Sequence, residues 1–396
     1  MKLESLKPLL HHDGPLTTVC LDATRGDESS GDREVRGRWH GMRRTLEQAG
    51  APAATLDAIE EAVLRPTYVT GPHGRYVVAS GRRVLFDRVL ADPPARDEAF
   101  HDGAPSLVPA VMAEDEVVRY LLVEIDRQGA DITVVDPHAG DEVVEQVEGG
   151  HDVVHKDQGG DRAHMRVQDS WERNADAVAT ELDRAVAEHR PELVLLTGDV
   201  RAVHLVRDAV GRAVGELLVE VPGGSRADGV KEDVFRQNVA AVVETHRERR
   251  REGVAARVRE ALGRGGGAVS SLDDVVDVLR KGQVAELVIT RTAAGVSVAR
   301  LYERRLWTGP DPLQIGVRRD DVTALGVPAA DVRELRADVV VLCAAIAQDA
   351  GFTYLIEGSV DLVDGVGALL RWTDAATPHD VAPSYAADRN RKAHHR

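Results

Sequence analysis

Between residues 163 and 221 the chain alternates a long amphipathic helical pattern with short apolar runs, an order that few architectures accept. Val167, Trp171, Val178, Leu182 and Val186 recur at four- and seven-residue spacings, which makes one apolar stripe of a helix over 163–188. Pro191 ends that pattern, and Leu193, Val194, Leu195 and Leu196 follow without alternation, as in a strand covered on both faces. A second helical pattern from about 201 leads to another apolar run over 217–221, closed by Pro222-Gly223-Gly224. Helix, strand, helix and strand at this spacing imply an α/β layer with at least some parallel strands.

The flanking sequence extends the rhythm. Runs over 120–125 and 130–135 joined by Asp126-Arg127-Gln128-Gly129 predict a hairpin, and 143–147 a third strand. Upstream, 17–22 reads as a buried strand. Val35, Trp39, Met42 and Leu46 mark a helix over 33–48, Leu56, Ile59 and Val63 a second, and 76–80 with 84–89 a hairpin about Gly81. The stretch 92–103 reads as loop. Downstream, a helix over 231–261 ends in Gly263-Arg264-Gly265-Gly266-Gly267, a run that follows a helix rather than a strand and so reads as a linker, not a nucleotide fingerprint. Residues 268–375 repeat the α/β rhythm, with helices expected at 272–281, 329–338, 339–349 and 366–371 and strands at 286–290, 297–299 and 352–356. The polar end beyond Trp372 is expected to be disordered.

Composition narrows the function classes. Aromatic residues make up 4% of the 396 residues, so the cores must be built from Val, Leu and Ala. No apolar run nears the roughly 20 residues of a membrane span, the N-terminus lacks a signal-peptide pattern, and Cys20 and Cys343 form no CxxC pair; a cytoplasmic chain without disulfide, zinc or other cofactor is expected. The net charge of −16 argues against indiscriminate coating of nucleic acid, though local basic clusters can still bind it. Two such clusters stand out. One is Arg247, Arg249, Arg250, Arg251, Arg257, Arg259 and Arg264, and the other is the tail with Arg389, Arg391, Lys392 and Arg396. Each also reads as a solvated helix face or a free end.

A chemically pointed segment precedes the long helix: His155-Lys156-Asp157-Gln158-Gly159-Gly160-Asp161-Arg162. Paired glycines allow the backbone close approach to a partner, and Lys156, Arg162 and Arg166 are suited to phosphate contacts. Lys156, Gln158, Gly159, Gly160, Asp161, Arg162 and Arg166 form the candidate RNA-binding set. An ordinary hairpin tip leading into a solvated helix start is the competing reading.

The chain resembles the bacterial relatives of archaeo-eukaryotic release factors, which include Balon-type ribosome hibernation factors and are similar to Pelota. The carriers are Val19-Cys20-Leu21-Asp22-Ala23-Thr24-Arg25 with Trp39, the 156–166 segment leading into Trp171-Glu172-Arg173-Asn174, Leu195-Leu196-Thr197-Gly198, and Gly365-Val366-Gly367-Ala368-Leu369-Leu370-Arg371-Trp372. The resemblance implies a three-domain α/β architecture: an N-terminal α/β domain (1–125), an RNase H-like middle domain with the Gly-Gly loop (126–262), a kink-turn-binding-like α/β C-terminal domain (263–375), and a basic tail (376–396). It further implies binding to the ribosomal A site and its rRNA, the first domain toward the decoding centre and the Gly-Gly loop toward the peptidyl-transferase centre, with elongation factor Tu as a companion. In release factors a glutamine follows the two glycines; here Asp161 stands there, a carboxylate that offers only acceptors when ionised. Occupancy without catalysis is therefore expected, with peptidyl-tRNA hydrolysis in ribosome rescue as the alternative.

Three other sets of residues bear on function. His151, His155 and His164 have suggestive spacing for a metal, but glycines around them oppose a helix there and no metal site is expected. Trp171 lies on the apolar stripe and reads as core. Asp126, Asp136 and Asp199 follow strands, and a nuclease would need them to converge on Mg²⁺. Arg25, Arg33, Arg36 and Arg38 border a polar loop, as an rRNA-facing edge or as the exposed side of the Trp39 helix.

Overall fold

The computed structural model describes residues 3–10, 14–25, 31–67, 69, 71–94, 96–101, 107–126, 129–136, 140–148, 161–226, 231–291 and 299–378. The chain folds as two compact units, one made of Met1–Glu116 with Arg251–Arg396 and one of Val117–Arg250. The expected α/β class is met, with four separate sheets among the described residues.

In the first unit, β1 (Thr17–Asp22), β2 (Gly74–Ser80), β3 (Arg83–Leu90) and β4 (Glu98–His101) form an antiparallel sheet in the order β3-β2-β1-β4. The two central strands lack alternation because both faces are covered. Val19, Leu21, Val77 and Ala79 pack with α1 (Gly31–Gln48) and α2 (Ala53–Leu64), while Cys20, Tyr76 and Val78 join a larger core on the other side. α1 turns Val35, Trp39, Met42 and Leu46 into the first of these cores. Strand β4 lies inside the stretch that reads as loop. Its register, Ala99 opposite Val19 and Phe100 opposite Thr18, is set by the partner strand, not by a pattern of its own. α3 (Val108–Glu116) follows and ends the first passage through this unit.

The second unit is a five-stranded mixed sheet in the order β7-β6-β5-β8-β9, from β5 (Tyr120–Ile125), β6 (Gly129–Asp136), β7 (Gly140–Glu148), β8 (Leu193–Gly198) and β9 (Leu218–Glu220). β5 pairs antiparallel with β6 and parallel with β8, so it belongs to this sheet although the expected boundary at 125 assigns it to the first domain. β8 and β9 are parallel, as the strand–helix alternation implies. α4 (Asp161–His189) and α5 (Val200–Ala209), with the short α6 (Arg212–Gly215), cover one face over Leu121, Val123, Ile125, Val194 and Leu196. The opposite face, with Leu193 and Leu195, is covered by Val239 and Val243 of α7 (Glu232–Gly263).

The chain then re-enters the first unit. β10 (Ala268–Val269), α8 (Leu272–Arg280) and β11 (Val284–Arg291) come first. They are followed by α9 (Ala299–Glu303), β12 (Arg305–Thr308), β13 (Ile315–Gly316), α10 (Arg319–Thr323) and β14 (Arg333–Arg336), and last by α11 (Ala337–Ala347), β15 (Gly351–Ile356) and β16 (Val366–Leu370). The main sheet runs β10-β16-β11-β15 and a small antiparallel sheet runs β13-β12-β14. Two expected helices are strands. Residues 366–370 sit between β10 and β11, where Gly367 meets Val269 O at a distance only a glycine allows, and 333–336 pair with β12. Burial on both faces explains the apolar 366–370 run better than a helix does. The expected strand at 297–299 falls largely outside the described residues, and Ala299 begins α9. Leu3, Leu6 and Leu9 share one core with Leu272, Val340 and Ile346, so the first and last thirds of the sequence fold around a common interior.

Candidate functional site

The second unit collects its chemistry at the carboxyl ends of its parallel strands, where loops of an open α/β sheet converge. β8 ends at Gly198, whose φ of +132° and position against β5 exclude a side chain, since a Cβ would lie 1.8 Å from Ile125 O. The same carbonyl accepts from Asp199 N at 3.0 Å. Asp199 then caps α5, its carboxylate accepting from Arg201 N at 2.9 Å and Ala202 N at 3.4 Å.

Beside this turn Asp126, just past β5, accepts from Gly129 N at 3.0 Å and pairs with Arg226 at 3.1 Å. Arg226 also reaches Asp131 on β6 at 2.9 Å, and the Asp131 and Asp126 carboxylates hold its guanidinium above its ordinary range. Glu124 stands directly across from Asp131 in the β5–β6 register. Burial, and then the Asp131 charge, push its carboxyl above the usual range, with Arg226 opposing. On the other face Trp171 is half-buried, with the Arg201 guanidinium 5.8 Å from its ring centre. It is therefore a partly exposed wall of the site, not a core residue. The cavity beneath it, lined by Asp126, Trp171, Asn174 and Leu205, has about 10 Å³ of room, which accommodates about one water and no substrate.

The three carboxylates that a nuclease would require are not brought together. Asp126 and Asp199 end neighbouring strands, but Asp136 lies at the far end of β6, paired with Arg119 at 2.8 Å. Six residues of strand separate those ends, roughly 20 Å. Among the described residues no group of three or more His, Cys, Asp or Glu side chains could hold a metal ion. Cys20 and Cys343 are free thiols; burial, then Glu98 and Asp97, push the Cys20 thiol up to about 12, which leaves it unreactive.

Of the residues chosen from sequence, Lys156, Gln158, Gly159 and Gly160 lie outside the described residues, as do His151 and His155. Asp161 is the first residue of α4, and Arg162, His164 and Arg166 follow in its first turns. Residues 379–396 of the basic tail, with Arg389, Arg391, Lys392 and Arg396, lie outside the described residues, but the expected disorder does not begin at Trp372: Thr377 is buried and accepts from Gln283 Nε2 at 2.8 Å. The arginine cluster on α7 is largely engaged. In the second unit Arg247 pairs with Glu244 at 3.0 Å and Arg250 with Glu192 at 3.0 Å. In the first, Arg251 pairs with Asp115 at 3.3 Å and Glu116 at 2.8 Å, Arg259 with Glu252 at 2.5 Å and Arg264 with Glu260 at 2.9 Å. Glu192 also accepts from His246 at 3.1 Å; burial opposes its charge, but His246 and Arg250 outweigh that and hold its carboxyl below the usual range. Sequence reading missed Arg226 as the partner of Asp126, because the two stand 100 residues apart and no spacing rule links them.

Residues 119–264 match the model of the bacterial archaeo-eukaryotic release factor family 2. The chain is 28% identical over 380 residues to the uncharacterized proteins Rv2629 and MT2704 of two Mycobacterium tuberculosis strains, covering 94% of this chain and 97% of theirs. Among solved structures, archaeal translation termination factor aRF1 aligns over 90% of this chain and 92% of its own at 15% identity and TM-score 0.23. Dom34 of S. cerevisiae, a translation termination-like factor, covers 77% of this chain and 82% of its own at 9% identity and TM-score 0.40. Archaeal Pelota, in a model of its ribosome-bound form with ABCE1, covers 94% and 95% at 11% identity and TM-score 0.40. Among the described residues no helix is long and apolar enough to cross a membrane.

Proposed function

We propose that this chain, whose residues 119–264 match the model of the bacterial archaeo-eukaryotic release factor family 2, binds the ribosome in the A site and acts by occupancy rather than hydrolysis. The supporting observation is the extent of the family match. It takes in the middle sheet, the Gly159-Gly160 pair and the helix that starts at the next residue, Asp161. In this reading the 155–162 segment reaches toward the peptidyl-transferase centre. Lys156, Arg162 and Arg166 pair with rRNA phosphates, Gly159 and Gly160 permit close approach, and Gln158 and Asp161 complete the contact surface. Elongation factor Tu is the companion on entry, and the occupied ribosome is held idle under stress.

Hydrolysis of peptidyl-tRNA would need a neutral group to orient water beside the ester. The Asp161 carboxylate brings a charge that rRNA phosphates repel, and a carboxylate at the first position of a helix is favoured by the helix dipole for its own sake. Residue type at this position thus suits helix initiation better than ester hydrolysis.

The test is co-sedimentation of the full chain with 70S ribosomes from stationary-phase cells at moderate salt. Binding is expected, and the Lys156→Ala/Arg162→Ala/Arg166→Ala variant should bind less tightly, with a log K against log salt slope shallower by about 2–3. Absence of the wild-type chain from the ribosomal pellet would sink the reading. Peptide release from charged ribosomes that is lost in a Gly159→Ala/Gly160→Ala variant would replace it with the rescue-hydrolase reading.

A further inference from the structure

A second surface, in the other unit and unconnected with the 155–162 segment, has its own claim on RNA. On α1 the exposed residues Arg33, Arg36, Gly37, His40, Gly41 and Arg44 follow the spacing i, i+3, i+4, i+7, i+8, i+11. That is the spacing of one continuous helix face, and it lies opposite the stripe of Val35, Trp39, Met42 and Leu46 that enters the core. The outward face is therefore as regular as the inward one, but written in arginine, histidine and glycine.

Two observations set it apart. Arginines on exposed helices of this chain are commonly neutralised by an acid three or four residues away, as in Arg184 with Glu181 and Glu188, Arg212 with Glu216, Arg236 with Glu232 and Asp233, and Arg264 with Glu260. On α1 itself Arg43 is held by Glu47, Asp57 and Glu60, and Arg38 by Asp22. Arg33, Arg36 and Arg44 form no ion pair with a described residue, and Glu34 on the flank of the face leaves its charge strongly positive. The second observation is the glycines. Among the described residues a Cβ at Gly37 or Gly41 would meet nothing within 4 Å, so no packing against them requires these glycines. Glycine in a helix interior is unfavourable, and its presence twice at the centre of this face is explained by a partner that comes close to the helix backbone.

We infer that this α1 face docks on the phosphate backbone of a folded RNA, with Arg33, Arg36 and Arg44 on phosphates and Gly37 and Gly41 admitting the sugar-phosphate chain against the helix. Positive charges one and two turns apart along one helix face suit a polyanion. The face presents no apolar side chain to insert, which disfavours an anionic membrane. The inference deepens the A-site reading, in which the first domain faces rRNA, but its test is separate because it uses different residues and a bare RNA probe.

The experiment titrates the full chain with a fluorescently labelled RNA hairpin of arbitrary sequence across a range of salt. The Arg33→Ala/Arg36→Ala/Arg44→Ala variant is expected to bind at least about tenfold more weakly, with a salt slope shallower by about 2–3. The Gly37→Ala/Gly41→Ala variant is expected to melt at a higher temperature than wild type and yet bind the hairpin several-fold more weakly, a combination that misfolding cannot produce. The inference is overturned if the wild-type chain ignores the hairpin, if either variant binds it like wild type, or if phosphatidylserine vesicles are bound with the same arginine dependence. Failure here leaves ribosome co-sedimentation untouched, and failure of co-sedimentation leaves hairpin binding to be read on its own.

Discussion

Helix α1 and the arginine-rich part of α7 carry the same residue type to opposite ends. On α7, Arg251 lies against Asp115, which is fully buried, and Glu116, with its guanidinium 4.0 Å from the centre of the Tyr354 ring, whose hydroxyl donates to Glu116. On α1, Arg33, Arg36 and Arg44 face outward with two glycines between them. The sequence shows two basic helices of similar density; the structure separates Arg251, whose charge is spent on carboxylates inside the fold, from Arg33, Arg36 and Arg44, which form no ion pair with a described residue. Pairing, not arginine count, separates them, because a charge already neutralised by a buried carboxylate has little field left for a partner.

The contrast is tested most severely at Arg251. Its replacement by Ala would take the guanidinium away from the buried Asp115 carboxylate, and breaking such a buried pair costs about 3–5 kcal/mol. Urea denaturation should show that loss, and a change of less than about 1 kcal/mol would mean that the α7 arginines are not structural. The glycines of α1 come next, with the opposite sign. Gly37→Ala and Gly41→Ala should each stabilise by about 0.5–1 kcal/mol, since both positions are open and helical. A loss of stability in thermal melts would show a hidden packing reason for the glycines.

The Glu192 pair with His246 and Arg250 is smaller and depends on pH. The folded-state pKa of Glu192 is held below its ordinary value, so its contribution is present above the ordinary carboxylate range and is lost as pH falls through the lowered folded value. About a third of the carboxylate is exposed, and solvent screening limits the contribution to about 0.5–1 kcal/mol. The stability difference between wild type and Glu192→Gln should thus be largest near neutrality and vanish in acid. A difference independent of pH would remove the ion pair as its cause.

Legibility from sequence followed the kind of information each element needs. α1, α4, α5, α7 and α8 were readable because an amphipathic stripe is local, and the 76–80/84–89 and 120–125/130–135 hairpins because a short turn joins their strands. β4 and β14 were not, because four-residue strands with polar sequence owe their conformation to β1 and β12, far along the chain. The 366–370 run was misread as helix for the same reason: only its neighbours β10 and β11 reveal that both faces are buried. At the site, the cap at Asp199 and the turn at Gly198 lie where the Thr197-Gly198-Asp199 order places a strand end. The Asp126–Arg226–Asp131 network joins residues far apart in the chain, Asp131 on β6 and Asp126 and Arg226 beyond strand ends, and leaves no local trace. The outward face of α1 is half legible: its arginines are visible in sequence, but that they form no ion pair with a described residue is a fact of three dimensions.

The smallest effect expected on stability belongs to the residues with the largest expected effect on binding. Arg33, Arg36 and Arg44 are exposed and form no ion pair with a described residue, so replacing all three with Ala should change folding stability by no more than about 0.5 kcal/mol. Removing three like charges from one face also relieves their mutual repulsion, which biases the small change toward stabilisation. Arg251 predicts the reverse profile: a large loss of stability, and weaker RNA binding only in proportion to the unfolded fraction. Melting and hairpin binding measured on the two variants side by side therefore give opposite signatures if the two helices differ as their pairing implies. If the α1 triple variant instead melts well below wild type, its arginines serve the fold after all, and the distinction between the two helices collapses.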